Sequence, residues 1–192
     1  MLLGQKVSRL GLSTHKEKVA AICELEPPKN VHDLQVFLGM LVYFSSYIPF
    51  YAWIAAPLFN LLRKKCAWEW TSIHQEAFEL AKYVLTQAPV RAFAMPGRPY
   101  RVYTDACDVG LAGILQQSTT VYIERVIAYW SRVLKSPERN YSPTEREALA
   151  LKEALIKFQP YIEGEQITAI TDHAALQWSR TYQNVNRRLL TW

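Results

Sequence analysis

Val102-Tyr103-Thr104-Asp105-Ala106 and Ala169-Ile170-Thr171-Asp172-His173 each close a β-type run on a Thr-Asp pair, and Tyr141-Ser142-Pro143-Thr144-Glu145-Arg146-Glu147-Ala148 lies between them. A strand that ends in Asp sets its acid at the carboxyl edge of a sheet. If two such strands are parallel neighbours, their acids converge where open sheets bind ligands. Ser142, Pro143 and Glu145 spell a helix start, with serine as N-cap, proline at the first position and an acid at the third. The capping box alone accounts for Glu145. The residue is also read on the side of Ala148, Leu149, Leu155 and Ile156, the face expected to turn toward the sheet. The layout is that of an α/β fold carrying a carboxylate metal site, with Asp105, Glu145 and Asp172 as the candidate ligands. Asp108 is explained by a turn and His173 by a helix start, so neither joins them.

Outward from this stretch the period of the sequence changes. Tyr100 to Thr104 alternates as a strand, Gly110 to Gln116 reads as a second and Arg125 to Tyr129 as a third. The helix after Ser142 should run to about Phe158, followed by a strand over 166–171 and a short helix over 174–180. Pro89, Pro96-Gly97 and Pro99 mark a linker. Upstream of it the pattern is helical. Asn30 caps a run whose apolar residues Val31, Leu34, Phe37, Leu38, Leu41, Phe44 and Ile48 recur at three and four, and Pro49 stops it. A second helix over 52–62 buries Ile54, Ala55, Leu58, Phe59 and Leu62, with a kink or late start expected at Pro57. A third over 72–86, capped by Thr71, is expected to face inward with Ile73, Ala77, Leu80, Ala81 and Val84.

Composition sets broad limits. The 192 residues are 50% hydrophobic and 20% charged, enough for one or two small domains with a buried core. No apolar stretch reaches the roughly 20 residues that span a bilayer, and the first dozen residues lack a signal core, so secretion is not expected. Three widely spaced cysteines fit neither a disulfide framework nor a CxxC zinc site, which suits an intracellular setting. The net charge of +5 suits a polyanionic partner without demanding one. It is spread evenly: residues 1–97 carry ten Lys+Arg against seven Asp+Glu, and 98–192 carry twelve against ten.

Tyr103-Thr104-Asp105-Ala106, Ser131-Arg132-Val133-Leu134 followed by Glu138 through Glu145, and Thr171-Asp172-His173 together resemble the reverse transcriptase–ribonuclease H region of LTR-retrotransposon Pol polyproteins, most like the gypsy type. Leu3-Gly4 with Val7-Ser8, and Pro28-Lys29-Asn30-Val31 with Phe37-Leu38-Gly39, look like that family's primer grip and thumb. The resemblance covers nearly the whole chain in the family's order. It implies a helical thumb and linker followed by an incomplete ribonuclease H-like fold, a mixed sheet with helices. The expected division is 1–65 for primer grip and thumb, 66–98 for a helical connection and 99–192 for the ribonuclease H-like domain.

The activity implied is metal-dependent endonucleolytic hydrolysis of the RNA strand of RNA–DNA hybrids, with Asp105, Glu145 and Asp172 holding a two-Mg²⁺ site. The implied partners are hybrid or duplex nucleic acid and the remainder of a Pol polyprotein, in the cytoplasm or a particle. Lys29, Arg63, Lys64 and Lys65 are the candidate phosphate contacts, against the plainer reading of a solvated basic turn. Trp68 and Trp70 are read as packing rather than as base-stacking residues. Cys107 stands where the family usually has Ser, and Ala112-Gly113 inverts its usual order. No Tyr-x-Asp-Asp string supplies polymerase acids. The family's domain runs on beyond Trp192 with a fifth strand, a helix and a fourth acid, so weak or absent cleavage is expected. The rival readings are a non-catalytic nucleic-acid-binding module and a decayed element copy.

Overall fold

The computed structural model describes residues 5–8, 11–14, 16–63, 66–87, 91–120 and 123–172. The chain divides into two compact units, Met1–Phe93 and Ala94–Trp192. In the first unit, strands β1 (Gln5–Ser8) and β2 (Gly11–Thr14) form an antiparallel hairpin, followed by α1 (Lys16–Cys23), α2 (Val31–Phe44), α3 (Tyr51–Asn60) and α4 (Ser72–Thr86). Neither the β2 strand nor α1 is signalled by the sequence pattern. Gly11 is obligatory: at φ 140°, an added Cβ would lie 1.9 Å from the Arg91 carbonyl oxygen.

Asn30 caps α2 as expected, its Oδ1 accepting from the Asp33 amide at 2.9 Å. Leu34, Phe37, Leu38, Leu41 and Phe44 are buried, and the helix tightens into a 3-10 turn at Ser45–Tyr47 before Pro49. Pro57 lies within α3, whose buried side is Ala52, Ala55, Ala56 and Leu58. The inward side of α4 is Ala77, Phe78, Ala81 and Leu85. Ile73 and Leu80, expected inside, are instead 62% and 47% exposed. Phe78 decides the rotation of that helix, its ring packing 4.5 Å from that of Phe37. A buried ring of this size contributes about 1.5–3 kcal/mol, more than half-covering an Ile recovers. Trp68 and Trp70 pack against the same core, in line with the packing role expected of them, so the stretch following residue 65 shares its interior with α2 and α3.

The second unit is a four-stranded sheet in the order β5-β4-β3-β6, made of β3 (Tyr100–Ala106), β4 (Gly110–Thr120), β5 (Ile123–Val133) and β6 (Ile167–Ile170). β3, β4 and β5 are antiparallel neighbours, while β6 pairs with β3 in parallel. Between β5 and β6 come a 3-10 turn at Ser136–Asn140 and α5 (Pro143–Ile162). The three meander strands are longer than their alternation suggests, and α5 continues through Pro160 in its last turn. The helix expected over 174–180 lies outside the described residues.

α5 reaches the sheet through Gly113. A Cβ there would sit 2.9 Å from Ala154 Cβ and 3.3 Å from the Phe158 ring, so only glycine admits this approach. The buried residues of the helix are Glu145, Glu147, Leu149, Ala150, Ala154 and Phe158. The face assigned from sequence, with Leu155 and Ile156, is therefore displaced: Ile156 is exposed. The stripe Glu147, Ala150, Ala154, Phe158 advances by three and four, the helical period.

Candidate carboxylate site

The parallel pairing of β3 with β6 runs from Tyr100 opposite Ile167 to Tyr103 opposite Ile170. Continued by two residues, that register sets Asp105 level with Asp172 at the carboxyl end of strands about 4.8 Å apart. Both aspartates are exposed. The expectation of two neighbouring strand-end acids holds for the strands that carry them.

Two acids of the helix's first turns, Glu145 and Glu147, are held in different ways. Glu145 is 7% exposed, and its carboxylate closes the capping box: Oε2 accepts from the Ser142 amide at 2.8 Å, while Ser142 Oγ accepts from the Glu145 amide at 3.3 Å. Two residues further on, and so about 200° around the helix, Glu147 points to the strand end. Its Oε1 accepts from the Ala106 amide at 3.0 Å, immediately after Asp105. Its Oε2 is buried and has no hydrogen-bond partner among the described residues. Burial pushes the Glu147 carboxyl up to about 7, the nearby charges of Asp172 and Asp105 add to the rise, and the Ala106 amide opposes it. Glu147 is thus a helical acid whose electrostatics are coupled to both aspartates.

Sequence reading passes over Glu147 because the capping box is the louder local signal. Once a carboxylate is needed to accept from the N-cap amide, it is committed at the helix start. The cue that marks Glu147 is its place at the head of the stripe ending in Phe158, which is legible only with the correct helical phase.

Among the described residues, no group of three His, Cys, Asp or Glu side chains is closed around a metal position. Asp105 and Asp172 lie near enough to Glu147 to raise its carboxyl by their charge. The donor set is nevertheless the right kind for a hard ion. Two exposed strand-end carboxylates and one buried carboxylate with an orphaned oxygen suit a cation that keeps part of its water shell, whereas zinc favours nitrogen and sulfur.

Of the basic candidates, Lys29 is exposed and pairs with Glu26 at 3.3 Å, an exposed contact that holds it weakly. Arg63 is exposed just beyond α3, its amide donating to the Asn60 carbonyl. Lys64 and Lys65 lie outside the described residues. No helix among the described residues is long and apolar enough to cross a membrane.

Residues 70–169 match the model of the RNase H-like domain found in reverse transcriptase. Over 99% of its length the chain is 32% identical to the retrovirus-related Pol polyprotein from transposon opus of Drosophila melanogaster, and 29% identical to the transposon Tf2-3 polyprotein of Schizosaccharomyces pombe. It spans 20% and 15% of those two proteins. Among solved structures, the foamy viral protease-reverse transcriptase is similar in fold. In complex with double-stranded DNA it superposes with a TM-score of 0.83 at 22% identity, covering 100% of this chain and 34% of that one. In complex with an RNA/DNA hybrid the TM-score is 0.81 at 23% identity, with 100% and 27% covered.

Proposed function

Because the chain belongs to the RNase H-like domains found in reverse transcriptase, we propose that it is the thumb and ribonuclease H portion of a retrotransposon Pol polyprotein and that its acid cluster hydrolyses the RNA strand of RNA–DNA hybrids. The observation that carries this is Glu147, a buried carboxylate with one oxygen fixed by the Ala106 amide and the other unpartnered beside two strand-end aspartates. A buried acid left with an empty acceptor position is costly unless a cation or proton completes it.

Asp105, Glu147 and Asp172 are the residues that would hold Mg²⁺, with Glu145 assigned to the helix cap. When bound, a pair of such ions neutralises the developing phosphate charge and makes a water nucleophilic. The chain's own part is positional. The Ala106 amide fixes the orientation of the Glu147 carboxylate, and the β3–β6 register fixes the spacing of the two aspartates. The exposed aspartates leave the outer side of the cluster open to a nucleic-acid backbone and its water.

The first unit supplies binding. Gln35, Val36, Gly39, Val42 and Tyr43 are exposed along α2 without an acid among them, so a nucleic-acid backbone laid there would meet no like charge from these residues. Arg63, with Lys29, Lys64 and Lys65, would contact phosphates. A backbone-directed contact of this kind reads the shape of a duplex, and no base preference is proposed. The proposed setting is intracellular, in the cytoplasm or a particle.

The test separates the two helical acids. Mn²⁺ binding and hybrid cleavage in Mg²⁺ are measured for the parent chain, Asp105→Asn, Glu147→Gln and Glu145→Gln. Loss of ion binding in Asp105→Asn and Glu147→Gln, with binding retained in Glu145→Gln, is expected. Retention in Glu147→Gln with loss in Glu145→Gln would refute the assignment.

A further inference from the structure

Arg132 lies near the end of β5, opposite Leu111, and its guanidinium makes three directed bonds to two acids. Nη1 and Nη2 donate to the two oxygens of Glu138 at 2.6 and 3.0 Å, and Nε donates to Glu153 Oε2 at 3.2 Å. Glu138 belongs to the 3-10 turn that leads into α5, and its Oε2 also accepts from the Lys135 amide at 2.7 Å. Glu153 stands in the middle of α5. The side chains of Arg132, Glu138 and Glu153 are only 19, 11 and 29% exposed.

One planar fork thus ties a strand, the turn before a helix and the helix itself. We propose that Arg132 is a positioning residue, setting the rotation and axial height of α5 so that the Glu147 carboxylate meets the Ala106 amide beside Asp105. This inference rests on the proposed acid cluster for its functional meaning, but its geometry stands independently.

The reason for such a device lies in how α5 packs. Between Glu147 and Phe158 its buried residues are Leu149 and Ala150, which pack with Leu111 and Leu134, and Ala154, which meets Gly113. Apolar contacts of this kind hold the helix against the sheet but fix its rotation and axial height only loosely, because burial is non-directional. The capping box fixes the first turn to its own N-cap and not to the sheet. The directional bonds from β5 through Arg132 add to the Ala106–Glu147 bond from β3 in holding the helix in register. Burial alone would push the Glu138 carboxyl up, yet its bonds to Arg132 and to the Lys135 amide keep it below the ordinary carboxylate range. A buried ion pair is a poor source of net stability and is better attested as a device that fixes register.

The experiment follows the Ala106 amide in the full 192-residue chain by hydrogen exchange, since that hydrogen reports whether Glu147 is in place without any metal. Arg132→Met should raise Ala106 exchange by roughly three- to tenfold relative to ladder amides of β3 and β4, the loss of about one hydrogen bond. Arg132→Lys, which keeps the charge and loses the fork, should fall between, as should Glu153→Gln, and both remain informative if Arg132→Met fails to fold. Mn²⁺ binding should weaken in parallel with Ala106 exposure. Unchanged Ala106 exchange relative to the ladder overturns the inference, as does a uniform rise at all amides, which is plain destabilisation. Selective Ala106 exposure in a chain whose parent binds no Mn²⁺ upholds the positioning role and removes the metal reading.

Discussion

Replacing Glu147 by Gln should make the second unit more stable at pH 8 and leave it nearly unchanged at pH 5. The carboxyl is displaced from an ordinary 4.5 to about 7. At 1.36 kcal/mol per pH unit, ~2.5 units set an upper limit of about 3.4 kcal/mol on the linkage. Part of it comes from Asp105 and Asp172, which are exposed and screened by salt, so about 1–2 kcal/mol is the expected effect. The sign follows from proton binding. Between pH 4.5 and 7 the folded chain holds a proton on Glu147 that the unfolded chain has released, so stability falls as pH rises through that window. Glutamine keeps the acceptor for the Ala106 amide and carries no charge to desolvate. The assay is urea denaturation of parent and variant at pH 5 and pH 8 in low salt, repeated with Mg²⁺. Mg²⁺ should stabilise the parent at pH 8 by mass action and do little for the variant. Parallel pH profiles for the two proteins would refute the reasoning, because they would show that Glu147 does not titrate differently on folding.

Phe50 heads α3 at φ 53°, the one described non-glycine residue with positive φ, and its ring stacks on Trp53 at 4.6 Å. Phe50→Gly should therefore exceed Phe50→Ala in stability by about 1 kcal/mol by chemical denaturation, since both remove the ring and only Ala retains the left-handed cost. Gly113→Ala should destabilise by about 1–3 kcal/mol, because its Cβ would meet Ala154 Cβ at 2.9 Å; in a double-mutant cycle with Ala154→Gly the losses should be less than additive. If the thumb cations neutralise phosphates, changing Lys29, Arg63, Lys64 and Lys65 to Ala should lower the salt slope of duplex binding by about 0.9 for each phosphate left unneutralised, and equal slopes for parent and variant would leave them as solubilising charge.

How much the sequence disclosed varied with the kind of interaction. Local rules did well: Asn30 and Ser142 cap their helices, Thr71 precedes a helix that spans the expected residues, and the alternation around Val102 announced a strand. Motif order likewise led to the correct family. Rotational phase was harder. On α4, Ile73 and Leu80 looked like core by hydrophobicity, and Phe78 displaced them because the partner ring of Phe37 lies on α2, a neighbour no local pattern reports. On α5 the expected inward face was displaced in the same way, Ile156 being exposed, and the proposed site acid lies two residues beyond Glu145. Glu145 had a sufficient local explanation in the cap, whereas the role of Glu147 depends on an amide in a strand far away in sequence. Strand lengths were underestimated because β4 and β5 extend each other by pairing, which a single strand's alternation does not reveal.

The parallel pairing of β6 with β3 also bears on how the protein assembles. β3 through β5 form a meander of local hairpins, whereas β6 pairs with β3 across the intervening α5, so the acid edge depends on the most sequence-distant pairing among the described strands of the sheet. Pairings of that kind close slowly, since chain entropy is lost before they reward it. A nascent or prematurely ended chain carrying Asp105 and Glu147 thus lacks the strand that brings Asp172. The carboxylate edge is thus expected to form among the slower steps of the second unit's folding, because it needs β3, α5 and β6 together.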